Sequence, residues 1–118
     1  MSIKKKKINL RIKKALTEYI RILKKKYSKE ILDVKLFGSV AKGNYDDESD
    51  VDILVLVKKN NWKFKNDIVM SSYEPELKYL VVISPLVMHK SEYDWYKRYK
   101  DPLYNQIEKY GIDLWKKI

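Results

Sequence analysis

Residues 38 to 52 run Gly-Ser-Val-Ala-Lys-Gly-Asn-Tyr-Asp-Asp-Glu-Ser-Asp-Val-Asp, a polar and acidic stretch between two apolar ones. Ahead of it, Asp33-Val34-Lys35-Leu36-Phe37 alternates polar and apolar, which predicts a half-buried strand. Gly38 ends that strand, and Ser39 stands where it could cap a short helix starting at Val40. Gly43 closes the turn, and Asn44 to Ser49 reads as a loop. Asp50-Val51-Asp52-Ile53-Leu54-Val55-Leu56-Val57 is aliphatic and β-branched, which predicts a second strand.

Two chemistries meet in this short segment. A helix N-terminus offers N–H groups to an anion, and the Ser39 hydroxyl and Lys42 ammonium would add to them, so a triphosphate could sit here. On a strand, residues i and i+2 share a face, so Asp50 and Asp52 point the same way. Mg²⁺ takes oxygen ligands, commonly one or two carboxylates completed by phosphate oxygens and water. Either half alone is commonplace: Asp-x-Asp can be a solvated strand start, and Gly-Ser an ordinary turn. The ordered conjunction of strand, Gly-Ser, short helix, acidic loop, Ser-Asp-x-Asp and strand is much more specific.

That conjunction resembles the signature of the DNA polymerase beta-like nucleotidyltransferases, and in particular the minimal nucleotidyltransferases. The similarity spans about residues 8 to 118, with its specific part at 36 to 57. It implies an α/β (α+β) fold with a short mixed sheet flanked by helices. It also implies NMP transfer, most simply AMP from ATP, to a hydroxyl. Carried onto this chain, Gly38, Ser39, Lys42, Gly43 and Ser49 would bind the nucleotide. Asp50 and Asp52 would be the catalytic residues and hold Mg²⁺. Lys42 stands where the family often has arginine, which keeps the charge and loses the bidentate fork. The resemblance further implies a HEPN-domain ribonuclease toxin as partner, with a tyrosine of that toxin as acceptor, and an antitoxin role for this chain.

One departure stands out. Many members carry a third acid on a later strand, here matched by Tyr79 to Ser84, yet no Asp or Glu lies between Leu77 and Ser91. Ser84 falls in the slot, and serine is a poor metal ligand and no base. Glu76 is the substitute candidate, with a solvated helix end as its plain reading. This leaves open a non-enzymatic protein that neutralises its partner by contact alone. A transferase acting on RNA is also left open.

The chain has 118 residues, enough for one domain over 8–118 after a basic, flexible tail over 1–7. It has no Cys, which excludes disulfides, zinc–thiolate sites and a cysteine nucleophile. The lone His89 reads as surface or structural. No apolar run approaches a membrane span and no secretory pattern follows the initial lysines, so the expected compartment is the cytoplasm.

The net charge of +10 is unevenly placed. Residues 1–29 hold 12 Lys and Arg against the single acid Glu18, whereas residues 30–118 hold 14 against 15 acids. Ile8, Ile12, Leu16, Tyr19, Leu23 and Tyr27 keep helical spacing, so the basic segment is an amphipathic helix with a cationic outer face. That face is either merely solvated or touches RNA, an acidic partner or the nucleotide itself.

Further along, Trp62 to Glu74 reads as one helix. Leu80 to Met88 reads as a third strand whose Pro85 requires an edge or a bulge. Ser91-x-x-Asp94 resembles a capping box for a helix through Lys100. Asp101-Pro102 starts another helix that Gly111 ends. Seven large rings between Tyr93 and Trp115 exceed what a small core absorbs, which predicts a surface that meets another protein chain.

Overall fold

The computed structural model describes residues 7–116, and all but Lys7 of the expected N-terminal tail lies outside them. The elements in order are α1 (Leu10–Tyr27), β1 (Ile31–Phe37), α2 (Gly38–Lys42), β2 (Val51–Val57), α3 (Trp62–Met70), α4 (Tyr73–Tyr79), β3 (Ile83–His89), α5 (Lys90–Arg98), α6 (Pro102–Tyr110) and β4 (Ile112–Asp113). The strands form one mixed sheet in the order β3-β2-β1-β4. β1 runs antiparallel to both β2 and β4, and β2 runs parallel to β3. A parallel pair needs a crossover, which α3 and α4 supply.

Alternation along the strands divides the interior in two. Val34 and Leu36 of β1 join Val51, Ile53, Val55 and Val57 of β2 in the larger core. The expected stripe of α1 covers that face: Ile12, Leu16, Tyr19 and Leu23 are buried, joined by Ala15 and Ile20. Each buried Ile and Leu among them contributes roughly 1.5–3 kcal/mol by leaving water. The Tyr19 hydroxyl donates to the Ile68 carbonyl at 2.8 Å, which ties α1 to α3. Burial, chiefly, drives that phenol above its ordinary range. The opposite face carries a smaller core of Leu54, Met88 and Ile107, closed by residues of α5 and α6.

Two boundaries differ from the sequence reading. The single helix expected over Trp62–Glu74 breaks at Ser71-Ser72. There the Ser71 hydroxyl donates to the Asp67 carbonyl and the buried Ser72 hydroxyl to the Val69 carbonyl. Hydroxyls that bond back to helical carbonyls compete with helix continuation. The third strand, expected from Tyr79 or Leu80, starts at Ile83. Tyr79 still belongs to α4, and Leu80 closes that helix in the left-handed region at φ 53°. β3 is an edge strand, as Pro85 requires.

The capping box of α5 is built on His89 and Glu92, not on Ser91 and Asp94. His89 Nε2 pairs with the Lys58 carbonyl at 2.8 Å, so it carries the proton. Nδ1 then accepts from the Ser91 amide at 3.2 Å. The lone histidine is therefore a structural cap. At the next junction Asp101 accepts from the Leu103 amide at 2.8 Å, Pro102 opens α6 and Gly111 ends it, all as expected. The short strand β4 follows, pairing Ile112 with Leu36 and Asp113 with Lys35. Among the described residues no helix is long and apolar enough to cross a membrane.

Candidate active site

The topology brings the end of β1 and the starts of β2 and β3 to one edge of the molecule. Phe37, Asp52 and Ser84 form a row across the three strands, with Asp52 in the middle. Asp52 lies on the face of the smaller core, beyond its last apolar layer, and is half-buried; Asp50, one residue before β2, is exposed. Burial, and after it the charge of Asp50, raises the Asp52 carboxyl above its ordinary value. Among the described residues, neither carboxylate has an ion-pair partner.

Gly38 is fitted to this carboxylate. Its φ of +74° suits glycine, and a Cβ placed there would lie 2.2 Å from Asp52 Oδ2. The backbone of the Gly-Ser turn thus passes directly against Asp52. Ser39 is not the cap of α2. The helix starts at Gly38, and extended Phe37 holds the cap position without a side-chain bond. Gly43 closes α2 in the left-handed region at φ 79°, its amide donating to the Ser39 and Val40 carbonyls. The Lys42 ammonium lies 5.3 Å from the centre of the Tyr110 ring on α6.

The loop that leads to Asp50 is held at two places. Asp46 and Ser49 close a turn in which the Ser49 hydroxyl accepts from the Asp46 amide at 3.0 Å and donates to Asp46 Oδ1 at 3.2 Å. The hydroxyl of Ser49 is thus engaged within its own loop. The buried Tyr45 hydroxyl donates to the Lys7 carbonyl and accepts from the Asn9 amide, so the loop is pinned to the start of α1.

Ser84 stands directly beside Asp52 in the parallel register. Glu76 does not reach this place. Its carboxylate accepts from the Ile83 amide at 2.9 Å and faces the Ser72 hydroxyl at 3.5 Å, fastening α4 to the start of β3. Among the described residues no three acids or histidines gather in a metal-binding group. The donor set nonetheless fits Mg²⁺. The two carboxylates repel each other and have no ion-pair partner among the described residues, and Asp52 lies against a glycine whose missing side chain leaves room for Oδ2. Mg²⁺ needs no more than this from the protein when phosphate oxygens supply the rest.

Two other surfaces were singled out by the sequence. The cationic face of α1 lines a groove of about 630 Å³ against α4, with Lys13, Lys14, Arg21, Lys25 and Lys78 on its walls. Glu18 and Glu74 interrupt that charge, and Glu18 pairs with Lys78 at 3.4 Å. The C-terminal rings divide. Tyr93 and Tyr96 pack on the smaller core, and Trp115 is partly buried against the larger one. The Trp95 and Tyr99 rings meet at a tilt with centres 4.8 Å apart while remaining 52% and 61% exposed. The Gly111 turn brings the Tyr110 ring within reach of both Lys42 and Lys109, a placement that local sequence pattern does not reveal.

The comparisons with known proteins agree with this geometry. The family described as the nucleotidyltransferase domain matches residues 16–114. "Putative protein adenylyltransferase MJ0141" of Methanocaldococcus jannaschii is 39% identical over 102 residues, covering 82% of this chain and 96% of the relative. A second protein of that organism, "Putative protein adenylyltransferase MJ0604", is 49% identical over 43 residues, covering 36% of this chain and 43% of its own length. The crystal structure of a nucleotidyltransferase, so described as putative, from Sulfolobus solfataricus superposes with a TM-score of 0.54 at 22% identity, covering 91% of this chain and 84% of that one. That superposition supports the fold. The family match and the near full-length relative carry the further conclusion that this chain belongs to the nucleotidyltransferase-domain family, among proteins named as adenylyltransferases.

Proposed function

We propose that the protein transfers AMP from ATP to a hydroxyl of a partner protein, in the cytoplasm and with Mg²⁺. The observation that carries this reading is the pair Asp50 and Asp52, which has no ion-pair partner among the described residues, with Asp52 set against the glycine that opens the Gly-Ser turn. A full-length relative named as a protein adenylyltransferase favours a protein acceptor.

In this reading Asp50 and Asp52 would hold Mg²⁺. Bound there, the ion would supply charge neutralisation and Lewis-acid polarisation of phosphate oxygens. Gly38 lets the phosphates approach the backbone, and Ser39 and Lys42 orient them for in-line displacement. The acceptor oxygen forms a bond to the α-phosphorus. The bond from that phosphorus to the α–β bridging oxygen breaks, and pyrophosphate leaves with the electron pair. The hydroxyl proton passes to solvent, since Ser84 beside Asp52 offers no base.

The proposed acceptor is a tyrosine of a HEPN-domain ribonuclease toxin, which modification silences, making this chain the antitoxin. The exposed pair Trp95 and Tyr99 is a surface suited to such a partner. The test incubates the chain with a HEPN protein, ATP and Mg²⁺ and weighs both proteins. The partner should gain AMP units, and the double variant Asp50→Ala, Asp52→Ala should produce none. Ser84 in place of an acid favours a second reading, neutralisation by contact alone. That reading wins if the partner gains no mass and the double variant still silences it. An RNA acceptor rests on the basic groove of α1, and the same assay with RNA at low salt decides it.

A further inference from the structure

We propose that Tyr110 gathers Lys42 and Lys109 into a paired cation site for the β- and γ-phosphates of the nucleotide and, after transfer, for pyrophosphate. The proposal rests on the nucleotide reading of the Gly-Ser turn and extends it to two residues outside the motif.

Lys42 and Lys109 come from different elements, α2 and α6, and each ammonium lies 5.3 Å from the centre of the same ring. That is within cation–π range. Neither lysine has a carboxylate partner among the described residues. Two cations held within reach of one ring concentrate positive charge there, which favours a ligand that carries several negative charges. A ring that restrains both ammonium groups also lowers the rotamer entropy lost when they bind an anion.

The placement is built into the chain. Tyr110 ends α6 two residues before Ile112, and the β1 partner of Ile112 is Leu36, two residues before Gly38. Gly111 forms the joint, where a Cβ would lie 2.3 Å from the Ile107 carbonyl oxygen. From Gly38, the single short helix α2 leads to Lys42. The ring is thus anchored on one side of the Gly-Ser turn, with Asp52 on the other side in β2. In this arrangement the α-phosphorus would sit at the aspartates and the tail of the triphosphate would extend toward α6.

The experiment is calorimetry on the full chain with Mg²⁺, using ATP and inorganic tripolyphosphate as probes. The variants are Tyr110→Leu, Tyr110→Phe, Lys109→Ala and Lys42→Ala, each first checked for an unchanged melting transition. Tyr110→Leu and Lys109→Ala should each weaken both probes about 3–10-fold, whereas Tyr110→Phe, which keeps the ring, should stay within about twofold of wild type. In the Lys42→Ala, Lys109→Ala background, Tyr110→Leu should add nothing further.

The proposal is overturned if Tyr110→Leu leaves both affinities unchanged. It is equally overturned if that variant weakens ATP and spares tripolyphosphate, because the ring would then meet the nucleoside. An undiminished loss in the double-lysine background also overturns it. A wild type that binds tripolyphosphate but not ATP would sink the nucleotide reading while sparing the cation pair. A wild type that binds neither sinks both.

Discussion

Along β2, neighbouring residues answer to opposite demands. Val51, Ile53, Val55 and Val57 point into the larger core under α1, where all four are buried. Asp52, Leu54 and Leu56 point the other way, where α5 and α6 close a smaller core and leave Asp52 at its open end. One strand therefore holds the fold together with one face and presents the site with the other. Because the side-chain period is 2, a single substitution can address either demand without moving the other. Stability and activity should separate by position parity.

The sharpest way to break that separation is Ile53→Ala. Ile53 is fully buried, and its loss should cost about 2–5 kcal/mol in denaturant unfolding. The molecules that remain folded should still bind ATP with wild-type affinity. If affinity falls as well, the two faces are coupled and the parity argument fails. Asp52→Ala is the mirror experiment. Transfer activity should drop beyond the ~10–100-fold that even supporting groups of a metal site cost, with no loss of thermal stability.

Gly38→Ala tests the one place where the faces meet the turn. The new methyl would sit 2.2 Å from Asp52 Oδ2 on a backbone of φ +74°. We expect about 1–3 kcal/mol of destabilisation together with weakened ATP binding, since strain and collision act on the same carboxylate. A variant that loses stability and keeps full affinity would show that the close approach is structural only.

These same residues explain why the sequence was readable here and opaque elsewhere. The Gly-Ser turn and the Asp-x-Asp strand obey local rules: alternation, a glycine at positive φ, and turn residues between apolar runs. Their shared edge follows from strand pairing, so site and sheet were legible together. The start of β3 was not. Leu80-Val81-Val82 has strand composition, but Leu80 takes a left-handed conformation that its side chain gives no hint of. Val81 is buried among tertiary contacts instead. The cap of α5 passed to His89 because the Lys58 carbonyl, 31 residues away, receives its Nε2–H. Glu76 looked free in the sequence and is fastened to the Ile83 amide. In each case a long-range partner outweighed local propensity. Tyr110 was one of the seven C-terminal rings, but its relation to Lys42, and that of Lys109, was not legible for the same reason, since it exists only once β4 pairs with β1.

Ser84→Asp sharpens the comparison from the neighbouring strand. The register sets residue 84 beside Asp52, so a third carboxylate would join two that already repel. Without metal the fold should lose on the order of 1 kcal/mol, while Mn²⁺ affinity, read by paramagnetic resonance, should rise several-fold. Unchanged affinity would place residue 84 outside the metal's reach.

The smallest effect belongs to Asp52→Asn in the absence of metal, and its sign is the informative part. Burial and the charge of Asp50 raise the folded-state value of Asp52, so the folded chain holds this proton more tightly than the unfolded chain does. The stabilisation linked to that proton is complete on the acid side of the ordinary carboxylate range. It is lost as pH rises through the folded-state value of Asp52. At neutral pH the charged side chain is therefore a burden on the metal-free fold, and an uncharged isostere should raise stability slightly, since solvent at this half-exposed site screens most of the effect. Asp33 is also raised, mainly by burial, so the wild-type slope alone does not isolate Asp52; the difference between wild type and variant does. That difference should vanish at acid pH and grow toward neutrality, and Mg²⁺ with ATP should reverse it by stabilising only the wild type. A variant less stable than wild type at neutral pH would mean that Asp52 has a stabilising partner in the metal-free protein, and the separation of the two faces of β2 would have to be given up.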